Sequence, residues 1–477
     1  MKDMNISTSF FIAWIWIFAI PTFSVAQQDR STATNVLTYQ EFIGFVKQHH
    51  PLVKQANLRL DVGEAQLLKA RGGFDPKIEI DYDRKKFRDT EYYDQLNTVF
   101  KIPTWYGITL EANYEQNSGV FLDPSLTVPP EGLYSAGISV SVAKGLIINE
   151  RMASLKQAKL FIAQTRAERE LMVNRILFEA SSAYFEWAEA TNEQRTYENY
   201  IRNAETRLEG IRNSVIAGDK AAIDTTEARI IYQNRRLSLE AARLKRSKKA
   251  LDLSNYLWIS GIPIELEETV YPEFPTASTV YNVLEITLRT NDSIEITDHP
   301  KIRALNSKIE GLKIERRLKK NNLLPDIDLA YNFLTPENDR IASLNTANYK
   351  AGFNLSFPLF LRKERGELKL TDVKLRETLF EQVSEQLALR NKIEATLIEI
   401  ASIEEQVSLV TSIVEDYRRL VTAEERKFFL GESSLFLINS REQSLIEAQL
   451  KENELKTKLL EANATLYNVL GNYSDSL

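Results

Sequence analysis

The amino-acid sequence predicts a mainly α chain built of two tandem repeats, each a long coiled-coil helical hairpin with a few strands at one end that could enter a membrane only as a β-barrel portion. Three observations carry this. A block of sequence recurs at a fixed offset, heptad spacing runs through the long helical stretches, and the hydropathy period drops to two at the same place in each copy.

The 477 residues are 43% hydrophobic and 26% charged, too apolar for a disordered chain. The opening segment has Lys2, an apolar core from Phe10 to Ile20, and small residues at Ser24 and Ala26, which reads as a signal peptide over residues 1–26. After it, no window approaches the roughly 18 consecutive apolar residues of a spanning helix, so insertion into a bilayer requires a closed barrel. With 60 basic against 66 acidic residues spread along the chain, no basic stripe exists for nucleic acid. The absence of cysteine excludes disulfides, thiolate metal sites and a lipid anchor on an amino-terminal Cys.

The repeat begins at His50, HPLVKQANLRLDVGEAQLLKARGGFDPKIEIDY, and returns at His299 as HPKIRALNSKIEGLKIERRLKKNNLLPDIDLAY, an ungapped offset of 249 residues. Tyr134–Gly137 matches Tyr349–Gly352 at an offset of 215, and Gly218 matches Gly431 at 213. The first copy therefore holds about 34 extra residues between its strands.

Each element follows in order. Thr38 and Glu41 form a capping box, and Pro51 and Pro300 take the first turn of helices about 20 residues long. Ile78, Ile80 and Tyr82, and in the second copy Ile327, Leu329 and Tyr331, alternate as half-exposed strands. Tyr134–Val142 and Tyr349–Phe357 are the returning strands. The extra residues contain a further alternating pair around FKIPTWYGITLEANYEQ, so parity gives the first copy two strands or four. Tyr82, Phe87, Trp105, Tyr106, Tyr114, Tyr134, Phe333 and Tyr349 are expected in an interfacial aromatic girdle.

Tyr197, Ile201, Ala204, Leu208, Ile211 and Val215 are spaced 4, 3, 4, 3, 4, as are Ile403, Val407, Val410, Val414, Tyr417 and Val421. This heptad seam demands a neighbour. The helix from Gly145 to Ala217 spans on the order of 100 Å, at about 1.5 Å per residue. The return helix from Ala221 to Trp258 covers half of it, leaving the rest to the helix at Pro51. Such a rod cannot bury its seam alone, so several copies must close into a tube. The expected segments are 27–71 (equatorial segment and first helix), 72–144 (strands), 145–258 (hairpin), 259–298 (equatorial linker, with a short helix over 281–290), 299–322 (helix), 323–358 (strands), 359–470 (hairpin) and a tail, 471–477.

The doubled order, with LTYQEFIGFVKQHHPLVKQA, the strand ending NLSFPLFLRKERGELK and the tip segment AGDKAAIDTTEAR, resembles the TolC-type outer-membrane efflux protein family along the mature chain. The resemblance implies a homotrimeric α/β barrel-tunnel in the outer-membrane lipid, reaching into the periplasm. It implies partners in a periplasmic adaptor (a membrane fusion protein) and an inner-membrane pump of the resistance-nodulation-division or ABC type. The expected role is passive conduction, as the exit duct of an efflux or type I secretion system, with no enzyme activity and no cofactor. The turns at Gly218 and Gly431 are then the periplasmic tips. Asp224, six residues past Gly218, takes the family's acidic gate position, and Ala228-Arg229 also fits the pattern. The second copy departs from it, with Leu437 in the acidic position and Phe428 and Ser433 where the family has tyrosine and arginine. Constriction would then rest on Asp224, Phe428 and Leu437, a partly apolar gate.

His49, His50 and His299 lie beside helix-first prolines, where capping is the expected role rather than catalysis or metal binding. No HExxH, Walker loop, GxSxG or GxGxxG occurs, and the carboxylate pairs Glu267-Glu268 and Glu424-Glu425 are expected on solvated faces. The alternative is a periplasmic coiled-coil adaptor or structural rod that never enters a membrane. A single-chain porin would need many more strands.

Overall fold

The computed structural model describes residues 36–286, 296–337 and 345–471. The expected signal segment, the end of the linker helix placed at 281–290, and the tail beyond Gly471 lie outside the described residues. No described helix is long and apolar enough to cross a membrane.

Strand β1 (Val36–Leu37) leads into α1 (Tyr39–His49). The Thr38 hydroxyl accepts from the Glu41 N–H at 3.2 Å while the Glu41 carboxylate accepts from the Thr38 N–H at 3.1 Å, a reciprocal box that satisfies two orphan donors. Helix α2 (Pro51–Arg71) starts on a proline whose missing N–H has no intrahelical partner to lose. Four strands follow: β2 (Lys77–Phe87), β3 (Thr90–Pro103), β4 (Ile108–Ser118) and β5 (Leu133–Ser141). The first copy thus takes the larger of the two strand numbers that parity allows.

Helix α3 (Glu150–Ile216) runs 67 residues, on the order of 100 Å. Its return, α4 (Ala222–Ser254), has 33. The linker holds β6 (Trp258–Ile259), β7 (Ile262–Pro263), β8 (Tyr271–Pro272) and α5 (Ala277–Val283). The linker helix thus starts at Ala277, ahead of residue 281, because Thr276 caps it by accepting from the Thr279 N–H. The second copy supplies α6 (Pro300–Asn321), β9 (Asp326–Thr335), β10 (Tyr349–Ser356), α7 (Arg362–Phe429, 68 residues) and α8 (Leu435–Leu470, 36 residues).

The six long strands make one antiparallel sheet in the order β10-β9-β5-β4-β3-β2. Strands β9 and β10 pair directly, but β2 and β5, their counterparts in the first copy, are separated by the hairpin β3–β4. That hairpin is the insertion. In the helical layer, α2 and α4 pack along one side of α3, α6 and α8 along the other, and α7 packs on α6 and α8. The layer therefore ends in α2 and α4 on one side and in α7 on the other.

The main core lies halfway along α3, where Tyr184, Phe185 and Trp187 are fully buried with Tyr39 and Phe42 of α1. Burying a large apolar side chain contributes roughly 1.5–3 kcal/mol, so this cluster fixes the equatorial segments on the rod. The Tyr184 hydroxyl lies 2.7 Å from the Leu37 carbonyl and 2.8 Å from that of Glu273, tying down both chains of the parallel β1–β8 pair. The Tyr39 hydroxyl meets Ser181 at 2.7 Å. Burial drives the pKa of both tyrosines far up, so they act only as neutral hydrogen-bonding groups.

Candidate functional site

Strand alternation gives the sheet two unlike faces. The pairing Ile80↔Thr98↔Tyr114↔Tyr134 crosses one face, with Ile78↔Phe100↔Ala112↔Ala136↔Phe333↔Tyr349 one row below it. Ile138, Leu329, Phe353 and Leu355 continue that face, which is apolar and exposed: Ile78 is 68% accessible and Phe353 67%. The opposite face carries Glu79, Asp81, Asp83, Lys101, Glu111, Asn113, Glu115, Asp328 and Lys350. Ion pairs knit it together, at 2.5 Å for Lys101–Glu79 and 3.4 Å for Lys350–Glu115. Period-two alternation of this kind suits a wall with hydrocarbon on one side and water on the other.

The expected girdle residues occupy two levels of the apolar face. Tyr114 and Tyr134 meet with ring centroids 4.8 Å apart, and Tyr349 stacks on Tyr331 at 5.4 Å beside Phe333. Tyr82 sits on the same face two strands beyond Tyr114, on the outermost strand β2. Trp105 lies instead at the helical end of the sheet, stacked on Phe74 at 5.6 Å with the Lys156 ammonium 5.8 Å from its ring. At that lower level the loops into α3 and α7 expose Ile147, Leu359 and Phe360, between 70 and 85% accessible. The sequence reading missed these three. Their signal is an apolar run directly before the charged starts NER and RKER, which alternation along a strand does not capture.

At the other end of the rod, both turns close in the same way. The Gly218 N–H donates to the Val215 carbonyl and the Asp219 N–H to that of Ser214; Gly431 to Phe428 and Glu432 to Lys427 repeat the pattern. This is a Schellman ending, which places its glycine in the left-handed region, at φ +84° for Gly218 and +80° for Gly431. The return helices start differently. Ala221 offers α4 no side-chain cap and Asp224 stands in its first turn, whereas Ser434 caps α8 by accepting from the Leu437 N–H at 3.3 Å. Each copy therefore gives its return helix one polar group, and Asp224 and Leu437 hold equivalent positions.

Phe428 turns into its own chain, packed against Leu208, Ile211, Ala228 and Leu435, with the Lys220 ammonium 4.6 Å from its ring. Ser433 donates to Glu424 across the turn at 2.5 Å. Above this cluster, Arg207 of α3 reaches Glu442 of α8 at 3.3 Å and Glu425 of α7 at 3.6 Å, while Arg235 of α4 lies 3.7 Å from Glu442. Three helices thus meet at one buried carboxylate and α7 joins through Arg207, a feature the sequence did not reveal. Glu424 and Glu425 are engaged rather than merely solvated.

A two-faced curled sheet on a rod of paired hairpins is the architecture of a barrel-and-tunnel channel subunit. Residues 295–472 match the model of the family described as Outer membrane efflux protein, so this stretch is an outer membrane efflux protein domain, and the family resemblance read from the sequence holds. No curated protein matches the chain. Among solved structures, the fold is shared with the CmeC outer membrane channel of Campylobacter jejuni (TM-score 0.64, 13% identity, covering 90% of this chain and 85% of that one). It is also shared with the outer membrane protein VceC of Vibrio cholerae (0.62, 13%, 90% and 95%) and with the open state of the MtrE outer membrane channel of Neisseria gonorrhoeae (0.63, 13%, 91% and 88%).

Proposed function

We propose that three copies of this chain form an outer-membrane exit duct that conducts solutes passively for a tripartite efflux or type I secretion system. A periplasmic adaptor would grip the helical tunnel, and an inner-membrane pump of the resistance-nodulation-division or ABC type would supply the energy. The observation that carries this reading is the sheet's division into one exposed apolar face and one charged face, joined to rods with unfilled edges. Strands of 8 to 14 residues match the length needed to cross a bilayer at a tilt. The aromatic pairs and the Trp105 level then lie at the two headgroup zones, and Asp224 and Leu437 face the periplasmic entrance, with Phe428 packed into the chain behind them.

The test is carbonate extraction of membranes followed by planar-bilayer recording of the purified complex. Retention in the membrane pellet, a mass of three chains and discrete conductance steps are expected. Release into the carbonate wash with no conductance would sink the proposal in favour of the structural rod.

A further inference from the structure

Among the described residues the two outermost strands, β2 and β10, are paired on one side only, and they stand above the matching helical edges: β2 follows α2, and β10 leads into α7. On these edges apolar side chains lie open. Ile223, Ile230, Leu237, Leu244 and Leu251 of α4 recur every seventh residue at 51–72% accessibility. Of their counterparts in α8, Phe436 and Gln443 near the turn are exposed, but Leu450 is half-buried and Thr457 and Ala464 are 1% and 0% accessible where α8 packs on α3. Likewise Phe380, Leu387 and Ile398 of α7 are 75, 59 and 65% accessible, while their equivalents in α3, Ala167, Asn174 and Phe185, are fully buried. The open edges of the chain are thus the two halves of a joint whose closed form already exists between its repeats.

Resting on the channel reading above, we propose that β10 of one copy pairs with β2 of the next, so that three copies close an eighteen-stranded barrel. The hairpin β3–β4 then sets the width: diameter grows roughly linearly with strand number, making this barrel about half again as wide as one built from two strands per repeat.

The internal joint also fixes the register. Strand β5 meets β9 with Val140 opposite Leu329 and Ile138 opposite Tyr331. Carried over by the repeat offsets, Leu355 lies opposite Ile80 of the next copy and Phe353 opposite its Tyr82. All four residues belong to the apolar face, so the two-faced alternation continues across the joint. On the charged face Lys350 meets Lys85, with Asp83 beside them. Six strands per copy keep every neighbour antiparallel. One row climbs from Ile78 through Tyr349 to Lys86 of the next copy, eight residues per copy, which corresponds to a strand tilt of about 43°, within the range of closed barrels.

The chain has no native cysteine, so paired introductions report cleanly. Ile80→Cys combined with Leu355→Cys, oxidised in intact membranes, should give covalent dimers and trimers on denaturing gels; each single variant should not. Tyr82→Cys with Phe353→Cys tests the same register if the first pair does not assemble. A complex of three chains that conducts ions but links at neither pair, or links only through Ile78→Cys with Leu355→Cys, would overturn this pairing while leaving the channel reading intact. A one-chain mass without conductance would remove the channel reading itself.

Discussion

The Arg207 guanidinium on α3 lies 3.3 Å from the Glu442 carboxylate on α8, and Glu442 is wholly buried. Residues 235 positions apart are thereby joined across two hairpins, with Arg235 contributing a second cation. Glu442→Ala would leave two guanidinium groups facing one another without their shared counter-ion, at a cost of about 3–5 kcal/mol. Denaturant unfolding should show the loss, and hydrogen exchange should speed up in the lower halves of α3 and α8 before it does in the sheet. Glu442→Gln should recover part of it by keeping the hydrogen bond to Arg207. An unchanged unfolding midpoint for both variants would remove the pair from any structural role.

The two faces of β4 give a matched comparison. Leu110 lies on the apolar face and Glu111 on the charged one. Leu110→Arg should destabilise the inserted chain by roughly 2–4 kcal/mol, the cost of a cation at the bilayer midplane. Glu111→Arg should insert normally and shift ion preference towards anions. Equal insertion yields for both variants would count against a lipid-facing apolar side.

His50 and His299 are repeat-equivalent caps. Each accepts from a first-turn N–H through Nδ1, from Leu52 at 3.3 Å and from Lys301 at 3.1 Å. Each donates through Nε2, to the Asn255 carbonyl at 3.3 Å and the Val469 carbonyl at 3.1 Å. Burial lowers both pKa values, with Arg303 and Lys301 adding to the effect at His299 against Glu385. The folded chain therefore holds them neutral, and protonation would remove the lone pair that caps the helix. Because the unfolded chain takes up protons first, near pH 6.5, stability is complete above that value and declines as pH falls towards the lower folded values. Replacing both with Asn, which caps without titrating, should flatten the fall in melting temperature between pH 7 and 5.5. A variant with the same slope as the parent protein would refute the assignment.

Asp224 stands in the first turn of α4 with no capping side chain ahead of it. In the threefold assembly proposed above, its carboxylates would form a ring that favours cations. Asp224→Ala should raise single-channel conductance and weaken cation preference; unchanged values for both would retire the ring.

Much of this architecture is legible locally. The Thr38–Glu41 box, the prolines at 51 and 300 and the heptads through Leu208, Ile211, Val410 and Val414 are short-range signals, and all four of those heptad residues are buried. The choice between two and four strands was not legible, because alternation around Trp105 marks a strand pair without saying whether both members join the sheet. Phe428 reads as a gate side chain when its position is matched to a family pattern, yet its partners Leu208, Ala228 and Leu435 come from three other helices. The Arg207–Glu442 contact left no trace for the same reason. Charged residues on separate helices carry no periodicity that marks them as partners.

The shorter helices are interrupted where the longer ones are not. α2 begins beside the end of α4, at the His50–Asn255 contact, and α6 begins beside the end of α8, at His299–Val469, while α3 and α7 pass both junctions unbroken. Torque applied at the Gly218 and Gly431 ends therefore meets two slip joints at mid-height, backed by the aromatic clamp around Tyr184. Rearrangement can be confined below that level, so the sheet end of each hairpin stays fixed while the far end changes shape.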